Sequence, residues 1–500
     1  MIDGFTRIST GNGGLDTILR GGLPANRLYL VEGEPGSGKT TLGLQFLQAG
    51  VRNGERVLYI TLSETSEELR GVAASHGWDL AGIDVFELSS AEEVLGEGRE
   101  QSILHAWEVE LGGTIRLIQE QVERVAPRRV VFDSLSELRL LAQDPLRYRR
   151  QVLALKQFFA TRDCTVLLVD DLTTTIEGER DGHLHSLCHG VLTLERLTLD
   201  FGAARRRMQV QKLRGVDFVG GFHDMIIRRG GLRIFPRLIA SDHHAPFVGD
   251  PTPSGVPEMD ALLNGGPLRG TCTLITGPAG SGKSTIALQY LHAACLRGER
   301  ATLFEFDERI GTLMVRAKAM GMDLQAHVDA DCLKIQQIDP AEMAPGEFAA
   351  LVREEVEARG AKLIAIDSLN GYMAAMPQEQ QLILQIHELL SFLNQQGVVT
   401  LLINPQSGLV GGMSTSLNIS YVADAVLLIR FFEAAGRIRK AISVIKNRGG
   451  AHEDTIRELR IDSEGVRVGE PLTQFRGVMT GTPEYIGQDG PLMEDRRLDP

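Results

Sequence analysis

The sequence predicts an α/β protein made of two tandem copies of one domain, each a mostly parallel sheet flanked by helices. The first observation is length, because 500 residues correspond to two or three domains of about 100 to 200 residues each. The second is an internal repeat, since GEPGSGKTT at Gly33 recurs as GPAGSGKST at Gly277. The third is an alternation of strand-like and helix-like patterns in each copy, which is typical of parallel sheets.

Each copy begins with the same succession of elements. A short apolar run (RLYLVEG, TCTLITG) precedes the glycine-rich loop, a helical pattern (TTLGLQFLQAG, STIALQYLHAA) follows it, and another strand (RVLYITL, ATLFEF) comes next. Later apolar segments, RRVVFDS and CTVLLVDD in the first copy and KLIAIDS and VVTLLIN in the second, extend each sheet.

The spacing of the repeat sets the domain organisation. Lys39 and Lys283 are 244 residues apart, whereas Asp133 and Asp367 are 234 apart, so the first copy carries ten additional residues upstream of Asp133. Between the copies the chain is rich in Pro, Gly, Ser and Asp and lacks helical or strand periodicity. We therefore expect a first domain over 1–236, a linker over 237–255, a second domain over 256–475 and a tail over 476–500.

Composition narrows the class of protein. Hydrophobic residues make up 43% of the chain and charged residues 23%, as in ordinary globular proteins. The formal net charge of −13 argues against a protein that holds nucleic acid through a general excess of basic charge.

Five cysteines without a CxxC pair favour reduced thiols. With no signal-peptide core and no apolar stretch of about 18 residues, we expect a soluble cytoplasmic protein without membrane contact.

Both glycine-rich loops match GxxxxGK[ST], the P-loop that binds nucleotide phosphates. Glycines let consecutive N–H groups point into one concavity, the helix N-terminus adds positive potential, and the lysine reaches the outer phosphates. We therefore predict ATP and Mg²⁺ as ligands, with Thr40 and Ser284 supplying the magnesium hydroxyl. The predicted phosphate-binding residues are Gly36, Ser37, Gly38, Lys39, Thr40 and Thr41 in the first copy and Gly280, Ser281, Gly282, Lys283, Ser284 and Thr285 in the second.

Carboxylates end two of the predicted strands in each copy. Asp133 and Asp367 are candidates for orienting magnesium or its water, with helix capping as the alternative. Glu64 and Glu308 follow the strand after the first helix and are candidate catalytic bases for water or hydroxyl attack on the γ-phosphate, the alternative being surface caps.

Basic residues repeat in register late in each copy. Lys212 and Arg214 correspond to Lys446 and Arg448 at the 234-residue offset. We expect them to reach the nucleotide of a neighbouring subunit and neutralise transition-state charge; the alternative is solvated surface charge.

Five segments resemble the KaiC family, the tandem RecA-like ATPases of the bacterial circadian clock and their relatives. They are SHGWDL at Ser75, RRRMQVQKLRG at Arg205, RIFP at Arg233, KAISVIKNRGGAHEDTIREL at Lys440, and GTPEYI near the tail. The resemblance implies a double-tiered homohexamer with ATP at subunit interfaces, an ATPase first half and an autokinase second half. The further ATP-binding residues that it implies are Ser75, Lys212, Leu213 and Arg214 in the first half and Lys440, Lys446, Asn447, Arg448 and His452 in the second.

The resemblance also assigns acidic and phosphorylated positions. The paired glutamates of the family correspond here to Ser63-Glu64 and Asp307-Glu308, which makes Asp307 a candidate catalytic and magnesium-binding residue. The family's phosphorylated serine corresponds to Ser420 and a nearby regulatory threonine to Thr415, whereas the adjacent threonine position is Tyr421. We therefore expect one-site phosphorylation at Ser420. The family also implies KaiB-like or histidine-kinase partners.

The histidine-rich segment has two interpretations. His183, His185, Cys188 and His189 have metal-ligand residue types, but without a second copy they favour a polar loop. Three functional classes remain: an ATPase and serine/threonine autokinase serving signalling or timing, a hexameric ATP-dependent scaffold or switch without kinase activity, and a RecA- or DnaB-like DNA motor. The acidic composition makes the motor, and nucleic acid as a partner, the weakest of these.

Overall fold

In the computed structural model the chain divides into two compact units, Met1–Arg237 and Leu238–Pro500. The structure describes residues 4–88, 106–142, 144–172, 182–198, 202–374, 379–406, 421–480 and 483–486. Within these ranges no helix combines the length and apolar character needed to cross a membrane.

The first unit contains eleven described strands. They are β1 Arg7–Ile8, β2 Leu23–Pro24, β3 Leu28–Gly33, β4 Val57–Thr61, β5 Ile83–Glu87, β6 Arg129–Asp133, β7 Thr165–Asp171, β8 Gly190–Leu197, β9 Arg205–Leu213, β10 Phe222–Arg228 and β11 Gly231–Phe235. The described helices are Gly13–Ile18, Lys39–Arg52, Ser66–Ser75, Ala106–Val125, Leu135–Ala142, Pro145–Ala160 and Gly182–Leu187.

The second unit repeats this succession. Its described strands are β12 Cys272–Pro278, β13 Ala301–Glu305, β14 Leu333–Gln337, β15 Leu363–Asp367, β16 Val399–Gln406, β17 Ala425–Ala434, β18 Arg437–Asn447, β19 Arg457–Asp462, β20 Gly465–Pro471, β21 Phe475–Arg476 and β22 Glu484–Tyr485. The described helices are Pro257–Leu262, Lys283–Leu296, Ile310–Ala319, Leu324–Asp329, Pro345–Glu357, Leu369–Ala374 and Glu379–Gln395, with short 3-10 helices at Ala240–Asp242 and Val478–Thr480.

Each unit is organised around one nine-stranded sheet of described strands, and the two sheets have the same order. The first runs β11-β10-β9-β8-β3-β7-β6-β4-β5 and the second runs β20-β19-β18-β17-β12-β16-β15-β13-β14. In each, the six strands from β5 to β8, or from β14 to β17, are parallel, and the last three are antiparallel. The predicted fold class, two tandem RecA-like α/β domains, is therefore confirmed.

The central strands are continuous apolar runs because helices cover both faces of each sheet. All residues of β3, β4 and β6 are buried, and so are all residues of β12, β13 and β15. The carboxyl ends of these strands meet at one edge of each sheet, which brings the P-loop and the acidic strand ends together.

Part of the segment 237–255 packs on the second unit. Leu238 and Ala240 are buried in a hydrophobic cluster of that unit, and Pro251 forms an antiparallel bridge with Leu268. The predicted domain and linker boundaries themselves stay a prediction.

Candidate nucleotide sites

The first P-loop connects β3 to the helix Lys39–Arg52, and its backbone requires glycine. Gly36 and Gly38 have φ of 75° and 110°, values that favour glycine. A Cβ at Gly38 would lie 2.8 Å from Ile227 Cδ1, so a side chain there would also force the tip of Ile227 on β10 to move. Ser37 Oγ is buried in this concavity and has no hydrogen-bond partner within the described residues. An orphaned hydroxyl and a helix N-terminus suit a bound phosphate.

Lys39 lies folded against its own loop. Its Nζ donates to Gly33 O at 2.8 Å and Glu34 O at 2.9 Å, and it pairs with Asp171 Oδ1 at 2.7 Å. Asp171 ends β7 and pairs in register with Gly33. The sequence pattern CTVLLVDD indicates this aspartate only as part of a strand, whereas the structure pairs it with the P-loop lysine at 2.7 Å.

Asp133 faces the magnesium-ligand candidate Thr40. Its Oδ2 accepts from Thr40 Oγ1 at 3.3 Å and from Tyr59 Oη at 2.5 Å. Burial raises the pKa of the Asp133 carboxyl, and the hydrogen bonds from Tyr59 and Thr40 oppose the rise. A carboxylate beside this hydroxyl is suited to hold Mg²⁺ or its water.

Glu64 follows β4 at the same edge of the sheet. Its N–H donates to Thr61 Oγ1 at 2.9 Å, while its Oε2 is buried and has no hydrogen-bond partner within the described residues. Burial raises the pKa of the Glu64 carboxyl, and the charge of Asp133 adds to the rise. The next helix is capped by Thr65, not by Glu64. An uncommitted carboxylate with a raised pKa fits a general base.

The second P-loop repeats the first between β12 and the helix Lys283–Leu296. Gly280 and Gly282 have φ of 74° and 108°, and Ser281 Oγ is again buried without a described partner. Lys283 Nζ donates to Pro278 O at 2.8 Å. Burial lowers the pKa of Lys283, and the nearby Asp367 opposes this. The position matching Asp171 is Pro405, since each pairs in register with the first glycine of its loop.

Acidic residues also gather beneath the second loop. Asp367 is buried at the end of β15, and burial raises its pKa while a hydrogen bond with Ser284 opposes the rise. Ser368 Oγ donates to Asp307 Oδ2, which places Asp307 beside Asp367. These oxygen ligands fit a magnesium ion, which would neutralise developing phosphate charge when bound.

Glu305, the last residue of β13, was missed by sequence reasoning. It is fully buried, and its Oε1 accepts from Asp307 N at 3.1 Å and Glu308 N at 2.9 Å. Burial raises its pKa to about 7, and the charge of Asp367 contributes. At the 244-residue offset it matches Thr61, which holds the N–H of Glu64 in the first unit, so the contact repeats although the residue type does not.

Arg316 is a second residue that sequence reasoning missed. Its Nη2 donates to Glu308 Oε2 at 2.6 Å and its Nη1 to Thr285 Oγ1 at 3.1 Å. The candidate base of the second unit is therefore paired with a cation, unlike Glu64.

Ser75 itself does not contact the first P-loop helix in the described contacts, but the adjacent His76 does. Ser75 is exposed, ends the helix Ser66–Ser75 and donates to Val72 O at 2.7 Å. The adjacent His76 Nε2 lies 3.3 Å from Thr41 Oγ1, and the rings of His76 and Trp78 are 5.0 Å apart.

The repeated basic residues of the first unit lie at the edge opposite their own P-loop. Leu194 pairs with Gly33 on one side and with Met208 on the other. Lys212 is four residues beyond Met208, or about 13 Å along β9, and Leu213 pairs with Gly190 near the start of β3. Lys212 donates to His185 O, and Arg214 Nη2 donates to Ser186 O at 2.7 Å.

The second unit has the same arrangement for Lys446, Asn447 and Arg448. Lys446 Nζ donates to Ala423 O at 2.6 Å, Asn447 Nδ2 to Ala451 O at 3.3 Å, and Arg448 N to Asp424 O at 2.8 Å. Both triplets are therefore positioned away from the loop of their own unit.

His452 and Lys440 are the other predicted ATP-binding residues of the second unit. His452 is exposed. Lys440 pairs with Phe431 beyond the carboxyl end of β12, so it shares an edge with its own P-loop, and burial lowers its pKa. Its counterpart Arg206 donates from Nε to Gly36 O at 3.3 Å. The 234-residue offset links Arg206 with Lys440 and could have identified it.

Ser420 and Thr415, the predicted phosphorylation sites, lie outside the described residues. Tyr421 is 52% exposed. Of the histidine-rich segment, His185 Nε2 lies 2.8 Å from Glu32 Oε2, and His189 Nδ1 accepts from Leu28 N at 3.3 Å. In the described ranges no three His, Cys, Asp or Glu side chains form a metal-binding group.

Two P-loops on duplicated RecA-like sheets, each beside acidic strand ends, define a tandem nucleotide-binding protein of the ATPase type. The chain belongs to the KaiC family, because the KaiC ATPase family model matches residues 8–239 and again 252–473. This confirms the resemblance noted in the sequence. It also implies nucleotide binding by each unit.

Curated relatives are similar over nearly the whole chain. The circadian clock protein KaiC3 of Synechocystis sp. is 28% identical over 499 residues, covering 97% of this chain and 96% of the relative. The circadian clock oscillator protein KaiC of Acaryochloris marina is 28% identical, with coverage of 97% and 92%. That of Synechococcus elongatus is 28% identical, with coverage of 95% and 91%.

Proposed function

We propose that this protein is a magnesium-dependent ATP hydrolase that assembles as a homohexamer and phosphorylates itself on a serine of the second domain. It acts in the cytoplasm in signalling or circadian-type timing, with KaiB-like or histidine-kinase proteins as partners. The observation that carries the proposal is that each P-loop lies at one edge of its sheet and a basic triplet lies at the opposite edge. The basic triplets are Lys212-Leu213-Arg214 in the first unit and Lys446-Asn447-Arg448 in the second.

The chemistry rests on the carboxyl-end edge of each sheet. Lys39 and Lys283 bind the outer phosphates, and Thr40 with Asp133, and Ser284 with Asp367 and Asp307, hold magnesium. Glu64 and Glu308 align the attacking water or hydroxyl. The orphaned hydroxyls of Ser37 and Ser281 support phosphate binding in both loops.

Assembly at the ATP site follows from the basic triplets. Because Lys212 lies about 13 Å along the strand from its own loop and Arg214 lies two residues further on, they serve a nucleotide only if it belongs to another chain. A repeated head-to-tail contact of this kind forms a ring when its rotation closes, and we propose closure at six chains. The same argument applies to Lys446 and Arg448.

A mixing experiment tests catalysis across the interface. The Lys283→Ala and Arg448→Ala chains, assayed separately in a Lys39→Ala background, should both lack second-site turnover. Mixed in equal amounts they should recover about a quarter of the parent rate, because one interface in four then combines an intact lysine with an intact arginine. A mixture that stays inactive while each chain still forms rings would contradict the shared site.

Phosphosite mapping by mass spectrometry tests the kinase. After incubation with Mg-ATP the protein should carry phosphate on Ser420, with Thr415 as the secondary position. Lys283→Ala should abolish the label while first-unit turnover continues, and Lys39→Ala is the matched control that keeps the label. An unlabelled chain that still hydrolyses ATP would favour the scaffold or switch without kinase activity. DNA-stimulated hydrolysis would favour the motor.

A further inference from the structure

The second unit links its candidate base to the P-loop helix through one guanidinium. Arg316, on the helix Ile310–Ala319, contacts Glu308 Oε2 at 2.6 Å and Thr285 Oγ1 at 3.1 Å. Thr285 is buried in the P-loop helix and is 3% exposed. Arg316 therefore fixes the Glu308 carboxylate relative to the element that carries Lys283.

Among its described residues the first unit has no such link. The 244-residue offset places Val72 at the position of Arg316, and Glu64 Oε2 is buried without a described hydrogen-bond partner. Thr41, the counterpart of Thr285, faces His76 instead. The two halves thus have the same backbone fold, but in the described part of the chain Glu308 is paired with an arginine and Glu64 is not.

A general base needs a free lone pair directed at the water that it aligns. The Arg316–Glu308 pair is partly buried, with side chains 33% and 29% exposed, so solvent screens it less than a surface pair. A charge-assisted contact at 2.6 Å holds one oxygen of the Glu308 carboxylate and limits how far the carboxylate can turn toward the water.

We propose that Arg316 is a positioning residue that restrains Glu308 and slows hydrolysis in the second unit, so that this unit holds ATP longer than the first. The inference rests on the proposed function, in which both loops bind ATP and Glu64 and Glu308 act as bases. It adds a difference in rate that the shared fold alone does not predict.

The test is Arg316→Met in a Lys39→Ala background, which isolates the second site. We expect kcat for phosphate release to rise about five- to tenfold, the change that corresponds to removing one partly buried ion pair. KM for ATP should change by less than about twofold. A rise in kcat is a result that mere damage to the fold would not produce.

Three further variants separate restraint from structural effects. Arg316→Lys keeps the charge but loses the guanidinium that contacts Glu308 and Thr285 at the same time. Its kcat should therefore lie between those of the parent and Arg316→Met. Lys318→Met alters an exposed cation on the same helix and should leave kcat unchanged. Arg316→Met combined with Glu308→Gln should show no gain, because the released base is absent.

Unchanged or lower kcat for Arg316→Met would overturn the inference, as would a higher KM at constant kcat, which would make Arg316 a nucleotide ligand. ATP binding by the Lys39→Ala chain is measured separately. If that chain binds no ATP at its second loop, the proposed function fails along with the inference. If it binds ATP and Arg316→Met gives no gain, only the inference fails.

Discussion

Asp171 should weaken ATP binding by the first unit, and its removal should strengthen it. Asp171 Oδ1 lies 2.7 Å from Lys39 Nζ, and the two side chains are 35% and 8% exposed. A phosphate that takes Lys39 must displace this carboxylate and approach its negative charge. Asp171→Asn keeps the shape of the side chain and removes the charge.

The magnitude follows from the separation of the charges. Two unit charges at this distance interact by about 6 kcal/mol at an effective dielectric constant near 20. Most of that energy is offset, because removing the two charges from water costs free energy and because solvent still screens the partly exposed Asp171. Hydrogen bonds to charged groups contribute about 1.5 to 3 kcal/mol net, and about 1 to 2 kcal/mol remains after screening. The dissociation constant for ATP should therefore fall about 5- to 30-fold.

Calorimetric titration with Mg-ATP measures this change in a Lys283→Ala background, where the first loop alone binds. The second unit is the internal control, because Pro405 occupies the equivalent position. In a Lys39→Ala background Asp171→Asn should leave the affinity unaltered. Unchanged or weaker ATP binding by the first loop would refute the argument that Asp171 competes for Lys39.

Two further predictions concern buried carboxyl groups. Tyr59→Phe removes the 2.5 Å hydrogen bond to buried Asp133 and should lower the free energy of unfolding by about 1.5 to 3 kcal/mol in urea titrations; no loss would show that Asp133 finds another donor. Glu305 has a folded pKa raised to about 7, so its protonated form favours folding and stability falls as pH rises from about 4.5 through 7. Glu305→Gln should therefore raise Tm relative to the parent more near pH 8 than near pH 5, and an equal difference at both values would contradict this.

Much of the fold could be predicted from the sequence because the duplication is visible in the residues that bind phosphate. The P-loop patterns identified Lys39 and Lys283, and strand–helix alternation identified the parallel sheets. The offset of 234 residues paired Lys212 with Lys446, and the strand register explains why both lie far from their own loops.

The residues that distinguish the two halves could not be predicted in the same way. Asp171 meets Lys39 from a distant strand and Arg316 meets Thr285 from another helix, and a single sequence does not reveal which side chains meet in this way. Glu305 instead accepts from N–H groups two and three residues further along the chain, in a contact that its residue type alone does not indicate. Each also breaks the repeat, since Pro405, Thr61 and Val72 occupy the matching positions. Searching for repeated residues therefore passes over them.

The identical order of nine strands in the two units has a practical consequence. Every molecule contains two versions of one fold at fixed one-to-one stoichiometry, in the same solvent and at the same temperature. Val72→Arg and Glu305→Thr each place the residue of one half at the equivalent position of the other. The change in ATP turnover then shows how that position has diverged since the duplication. The two halves are thus compared within a single polypeptide.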